Sequence, residues 1–332
     1  MRSAPSARLP FRATIALLSV AATAWLALAE RPGPDRVATL ASAPAATRPA
    51  TIAYCPGRQI AILANKEIDE SSGLAVGRVN PGVFWTHNDS GGRPRVFAFN
   101  AKGEHLAICD IEGASARDWE DMCSFKLDGK AMLLVADIGD NLRTRPHCTL
   151  YAAVEPVLKP RASGARCTAT VSGTIRYRYA DGPRDCEAIG FDPITRTVLI
   201  VSKVATGRCK VYALPWPDRP ATQPATLKPI AALDIQHVSA MDVSPDGLRA
   251  VVLRYKWAYE YARAANESWA AAFARPGRRL ALPRRRQGES ICYGRDGKTL
   301  YLTSEKLPTP LVEVPVAAAT QPTGHPGRGS DR

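Results

Sequence analysis

Five copies of one hairpin pattern constrain this chain more than anything else in it. The segments ESSGLAV, EDMCSFKLDG, EAIGFDP, SAMDVSPDG and ESICYGRDG start at Glu70, Glu120, Glu187, Ser239 and Glu289, with steps of 50, 67, 52 and 50 residues. The long step absorbs an insertion over 142–170. Each start passes through a turn into a second apolar run: VFWTHND, MLLVADIGDN, TVLIVSKV, RAVVLRY and TLYLTSE. Those runs close on Asp89, Asp137, Lys203, Arg254 and Glu305, which lie 19, 17, 16, 15 and 16 residues after their starts. Self-similarity at this period, carried by short strands and turns, is the signature of a β-propeller. The expected fold is therefore all-β, with four-stranded antiparallel blades around a central channel.

Five blades are expected. Six is the alternative, if 50–66 and the C-terminal run PLVEVPV assemble a degenerate blade. RQIAILA, at 58–64, is instead expected to add the outer strand that closes the last blade against LVEVPV and protects the sheet edges. Helical periodicity is confined to AYEYARAANESWAAAFA, at 258–274.

The organisation outside the repeats follows from composition. Arg2, Arg8 and Arg12 precede the apolar run ATIALLSVAATAWLALA, which closes on Ala27-Leu28-Ala29, so 1–29 reads as an export signal or an uncleaved anchor. The remainder is expected in the periplasm or outside the cell. The segments 30–50 and 316–332, rich in Ala, Pro, Thr and Gly, read as a disordered linker and tail around a propeller domain at 51–315. Removing 1–29 takes away three arginines and no acid, lowering the formal charge from +13 to +10. Much of that charge sits in RPGRRLALPRRR (275–286), a solvated basic loop or a grip for a polyanion. Nothing interleaved with it resembles a nucleic-acid motif.

Eight cysteines in an exported chain permit disulfides. Cys148 and Cys167, each in a β-like run and joined by a loop, are the expected pair. No CxxC spacing occurs, which argues against a cysteine zinc site.

An antiparallel hairpin brings its first and last residues to one rim. Glu70, Glu120, Glu187 and Glu289 should therefore meet at the channel mouth, with Ser71 or Ser239 adding hydroxyls. Crowded carboxylates raise one another's pKa unless a cation offsets them. Ca²⁺, which takes six to eight oxygen ligands in loose geometry, suits such a ring, and the five histidines show no zinc spacing. The structural alternative is an ion-pair lattice in which Arg117, Arg184, Lys203 and Arg254 neutralise the acids. Asp118, Asp121 and Asp185 read as turn-capping residues. His87 is either a neighbour of Asp89 in the site or a packing residue.

The succession ESSGL, WED, CEA, VSA, GES at the five starts resembles the calcium-activated nucleotidases, or soluble apyrases, and a group of uncharacterised exported bacterial propellers. The resemblance spans about 60–310 as short motifs. It implies a five-bladed propeller with one channel Ca²⁺ held by Ser71, Glu120, Glu187, Ser239 and Glu289. It further implies hydrolysis of nucleoside phosphates, with Asp89 beside the bound water or phosphate and Lys203 and Arg254 meeting phosphate. GDNLRTR stands where that family has a Lys-Glu-Trp segment. Two functions are expected from this. One is a Ca²⁺-dependent phosphohydrolase with Asp89 or Asp137 as base and a small anionic substrate. The other is a monomeric, non-catalytic propeller whose Ca²⁺ clamps the blades while rim loops bind a polyanionic envelope component.

Overall fold

Strand pairing sorts the described residues, 47–159 and 163–318 of this computed structural model, into three four-stranded antiparallel sheets and one nine-stranded sheet, which divides at a parallel contact into two further four-stranded antiparallel units. Strand β1 (Arg58–Ile62) comes first and stands apart. The first unit is β2 (Ser71–Val76), β3 (Val83–Asn88), β4 (Arg95–Asn100) and β5 (His105–Glu112). The second is β6 (Trp119–Leu127), β7 (Lys130–Asp137), β8 (Cys148–Val154) and β9 (Ala165–Tyr179). The third is β10 (Cys186–Asp192), β11 (Thr197–Ser202), β12 (Cys209–Pro215) and, after the short β13 (Ala225–Leu227), β14 (Pro229–Leu233). The fourth is β15 (Ala240–Val243), β16 (Arg249–Arg254), β17 (Trp257–Ala262) and β18 (Arg278–Ala281). The last is β19 (Ser290–Tyr293), β20 (Leu300–Thr303) and β21 (Pro310–Val314), completed by β1 on the outer edge of β21.

This is a β-propeller. The leading strands β2, β6, β10, β15 and β19 pack side by side in that order, and β19 returns to β2. All five repeat hairpins pair as expected, and the strand at 58–62 closes the last unit as its sequence suggested. Burial follows position. The leading strands β2, β10, β15 and β19 are buried along their whole length because neighbouring units cover both faces, whereas β9 alternates toward solvent. β9 also runs parallel to β5 along Ala165–Thr170, then antiparallel to β8, and finally pairs with β13, shielding three sheet edges at once.

Two expectations are corrected. Residues 258–262 continue β17, in register with β16, and only Trp269–Phe273 is helical (α1, N-capped by Ser268). Ala258 and Glu260 are buried in that strand, so sheet packing overrides the helix-forming composition. The disulfide joins Cys109 to Cys167, not Cys148 to Cys167. The β8–β9 hairpin sets Cys148 opposite Tyr177, at the far end from Cys167, while the parallel β5–β9 pairing sets Cys109 directly opposite Cys167.

The expected signal at 1–29 lies outside the described residues, as do 30–46 of the linker and 319–332 of the tail. Closer in, Arg48 pairs with Glu267, and Ala53 accepts from the Ala317 N–H. Among the described residues no helix is long and apolar enough to cross a membrane. The basic stretch is not simply a solvated loop: Arg278–Ala281 is strand β18, and three of its six arginines are engaged, Arg275 with Glu267, Arg278 with Glu260, and Arg279 over the Trp257 ring.

Units three and four are joined by a fully buried ion pair. Arg263 donates to both oxygens of Asp192 at 2.7 and 2.8 Å, and the Trp269 indole adds a third bond at 3.1 Å. Replacing Asp192 with Ala strands the guanidinium, so Asp192→Ala is expected to cost about 3–5 kcal/mol. Urea unfolding measures this, and a loss under about 1 kcal/mol, the scale of an exposed pair, would refute it.

Candidate metal centre

The first turn of three leading strands departs from regular pairing. Register shifts fall between Ser71 and Leu74, between Trp119 and Asp121, and between Cys186 and Ala188. A bulge adds a residue on one strand and re-aims its side chain. The added residues in the second and third units are Glu120 and Glu187, which turn toward each other across the channel mouth.

Two overlapping groups result. Carboxylate oxygens of Asp89, Asp118 and Glu120 lie within 4.8 Å of one another, as do those of Glu120, Asp185 and Glu187. Glu120, Asp185 and Glu187 are buried; Asp89 and Asp118 are half-buried and face the rim. The chain makes room deliberately. Gly139 stands so close that a Cβ there would fall on Glu120 Oε1 and Asp118 Oδ2. Its backbone N–H, with that of Ile138, is held by the Asp118 carbonyl. Asp185 is fixed by the Asp140 N–H at 3.0 Å, and Asp140 in turn caps Thr144 and Arg145.

Lys203 is the one cation in contact with this cluster among the described residues, ion-paired to Glu187 and lying over the Tyr255 ring. Burial opposes its charge, but Glu187 outweighs that and its pKa is raised. The acids are pushed up. Burial first, then Glu187 and the neighbouring aspartates, lifts Glu120 well above the usual carboxylate range; burial also raises Glu187 against the pull of Lys203. Asp118 rises to about 6 through burial and Asp89. Glu289 reaches about 8 and Glu305 about 7, both through burial, Glu305 also through Asp89. Asp89 is raised by burial. A set of all-oxygen donors with so little compensating charge fits a hard cation, and no histidine or thiol belongs to either group.

The residues expected from sequence separate into those the fold gathers and those it does not. Glu120 and Glu187 are central, Asp89 is at the rim, and Glu289 is buried close enough to raise Glu187 further. Ser71 bonds Thr86 and Thr303, each at 2.7 Å, linking strands, and Ser239 donates to the Gly288 carbonyl at 2.9 Å, linking the segments that enter β15 and β19. Glu70 is exposed. Asp137 is buried against Arg145 at 2.7 Å and accepts from the Arg117 and Asp118 N–H groups, outside both carboxylate groups. Arg254 is half-buried and enters none of the described ion pairs. His87 is fully buried against Trp119, and burial lowers its pKa to about 4, so it is a neutral packing residue.

Of the anticipated lattice of basic residues, only Lys203 pairs with a ring acid; Arg184 pairs with Asp181. Asp118 and Asp185, read from sequence as turn caps, belong to the cluster. Their signal was the shared spacing Asp-x-Glu, in Asp118-Trp119-Glu120 and Asp185-Cys186-Glu187. Asp121 instead clasps three peptide N–H groups, of Met122, Ile189 and Met241.

No protein-family model matches the chain, and no curated protein matches it. Among solved structures, it is similar to XC5397, a gluconolactonase from Xanthomonas campestris, at 14% identity and a TM-score of 0.44, over 82% of this chain and 100% of that one. It is also similar to a glucose dehydrogenase at 12% identity and a TM-score of 0.46, over 79% of this chain and 100% of that one.

The raised acids set a pH dependence. Asp118, Glu305, Asp242 and Glu289, at about 6, 7, 7 and 8, hold protons in the folded state that the unfolded chain has released. Stability therefore falls as pH rises through these values. Buried His87 acts oppositely, but only below its ordinary value of 6.5. In chelator, Tm is expected to fall between pH 6.5 and about 8, and a divalent cation should restore more at pH 8 than at pH 6.5. Differential scanning fluorimetry decides this; a Tm that is flat or rising over that window contradicts it.

Proposed function

We propose that the carboxylate cluster binds Ca²⁺ and that the protein is an exported Ca²⁺-dependent hydrolase of small phosphate esters or anhydrides. The observation that carries this is the pair of carboxylate groups sharing Glu120, five acids in all, with one lysine in contact and two members open to the rim. Asp89, Glu120, Asp185 and Glu187 would hold the ion, with Asp118 and Glu289 flanking. Ser71 and Ser239 would support the strands that carry it. Bound Ca²⁺ would supply a Lewis acid for a phosphoryl oxygen and acidify its water.

The chain's own groups have distinct tasks in this reading. Asp118, raised to about 6 in the ion-free site by burial and then by Asp89, is the rim carboxylate that would take the proton of the attacking water. Lys203 holds Glu187 in place rather than meeting substrate. Arg254, free of described ion pairs, is the cation available to an anionic substrate. Asp137 is a positioning residue, since its oxygens are committed to Arg145 and the 117–118 peptides. The resemblance to calcium-activated nucleotidases supports the substrate class.

A second reading keeps the ion and drops the chemistry: Ca²⁺ would clamp the blades of a binding module for a polyanionic envelope partner. The axial acids Asp121 and Asp242 favour it, because they already act as clasps between leading strands.

Calorimetric titration with Ca²⁺ and phosphate release from nucleotides and sugar phosphates, with and without chelator, separate the two. Glu120→Gln is expected to abolish Ca²⁺ binding. Asp118→Asn should keep the fold and lose about 10²-fold or more in turnover. No release from any substrate, with Ca²⁺ merely raising Tm, would overturn the hydrolase reading and leave the clamp.

A further inference from the structure

On the second unit, beside the cluster, one face of the sheet carries a row of polar side chains. Asp137 pairs across to Thr149 and Thr149 to Arg176, while Tyr151 pairs with Thr174. The alternation of a strand places Cys148, Leu150, Ile175 and Tyr177 on the other face, in the hydrophobic core. The connector from β5 to β6 lies over the polar face, tied down by a 2.8 Å bond between Ser115 and Tyr151. Between connector and sheet is a cavity of about 380 Å³, the size range of small-ligand sites.

Its charge is one-sided. Arg117, Arg145 and Arg176 line it, against a single carboxylate, Asp137. Arg145 satisfies that carboxylate at 2.7 Å and also donates to the Gly139 carbonyl at 2.8 Å, which leaves Arg117 and Arg176 without a compensating acid in the lining. Neither Arg117 nor Arg176 enters an ion pair among the described residues. Hydroxyls of Ser115, Thr149 and Thr174 add donors around the same space.

We infer that this cavity is an oxyanion-binding site, taking a phosphate, sulfate or carboxylate group, either free or as the anionic end of a small organic ligand. Planar guanidinium forks match such oxygens, and their hydrogen bonds to an anion are of the strong, charge-assisted kind. The site needs no cation in the neighbouring cluster. It adjoins that cluster, because Arg117 precedes Asp118 and Asp137 holds both their N–H groups.

Titration calorimetry of the whole protein in chelator tests it, with inorganic phosphate, sulfate, acetate and phenyl phosphate as probes. At least one of them should saturate with a Kd of about 1 mM or tighter. Tighter binding of phenyl phosphate than of inorganic phosphate identifies an organic ligand; the reverse order identifies the free ion. Arg117→Ala and Arg176→Gln, both at exposed positions, should each weaken binding about tenfold or more without lowering Tm. Glu120→Gln should leave it intact, so failure of the metal reading and failure of this one are distinguishable. Absence of saturable binding, binding that requires Ca²⁺, or binding indifferent to both arginine substitutions overturns the inference.

Discussion

The strands around the axis of this propeller have a problem that the outer strands do not. Each of β2, β6, β10, β15 and β19 ends its sheet, so one backbone edge faces the channel with no strand to pair with. Buried peptide groups must find partners. Side chains supply them. Asp121 accepts from Ile189 and Met241 in the two following units, Asp242 from Tyr293, and Ser72 and Ser124 donate to the carbonyls of Glu120 and Val76. The polar residues buried at the axis are therefore the closure of the ring, and the units keep their angular order because these bonds cross between them.

The same geometry makes the channel mouth chemically unusual. Where the clasps stop, the bulges at Glu120 and Glu187 turn two more carboxylates inward, and Asp89, Asp118 and Asp185 crowd behind them. Deeper acids are satisfied by peptide N–H groups. Those at the mouth have chiefly Lys203 and one another, and burial raises their proton affinity. Two kinds of acid thus share one axis: those that hold strands, and those whose grouped oxygens could hold a cation. Gly139 is held beside the second kind by its bonds to the Asp118 carbonyl and to Arg145, and a Cβ there would fall on Glu120 and Asp118.

The fold was legible because hairpins repeat, and hairpin patterns are local. The starts of all five units, their second strands and the closing role of 58–62 could be read from alternation and turn residues. What escaped depends on contacts distant in sequence. Cys109 meets Cys167 only because β9 leaves its own hairpin to run beside β5, a parallel pairing with no local signature. Residues 258–262 have helix-forming composition and become a strand because β16 and β18 flank them. In the cluster, Glu120 and Glu187 were legible from the repeat, whereas Ser71 and Ser239 stand at the matching positions with hydroxyls bonded to Thr86 and Thr303 and to the Gly288 carbonyl. A one-residue bulge decides which side chain points inward, and a bulge leaves no mark in a period counted to the nearest few residues.

Asp137 shows how these layers connect. It closes the second hairpin, as the repeat required, opposite Trp119. From there one oxygen accepts from the Asp118 N–H and pairs with Arg145, and the other accepts from the Arg117 N–H. The peptide it grips carries a cluster acid at one position and a pocket arginine at the next. Arg145, in turn, reaches the carbonyl of Gly139, whose Cα side abuts Glu120. Shifting Asp137 would move a negative site and a positive cavity together. Asp137, which the sequence offered as a base, is the joint between them: both oxygens of this buried carboxylate are committed to Arg145 and to the 117–118 peptides, which they hold in register.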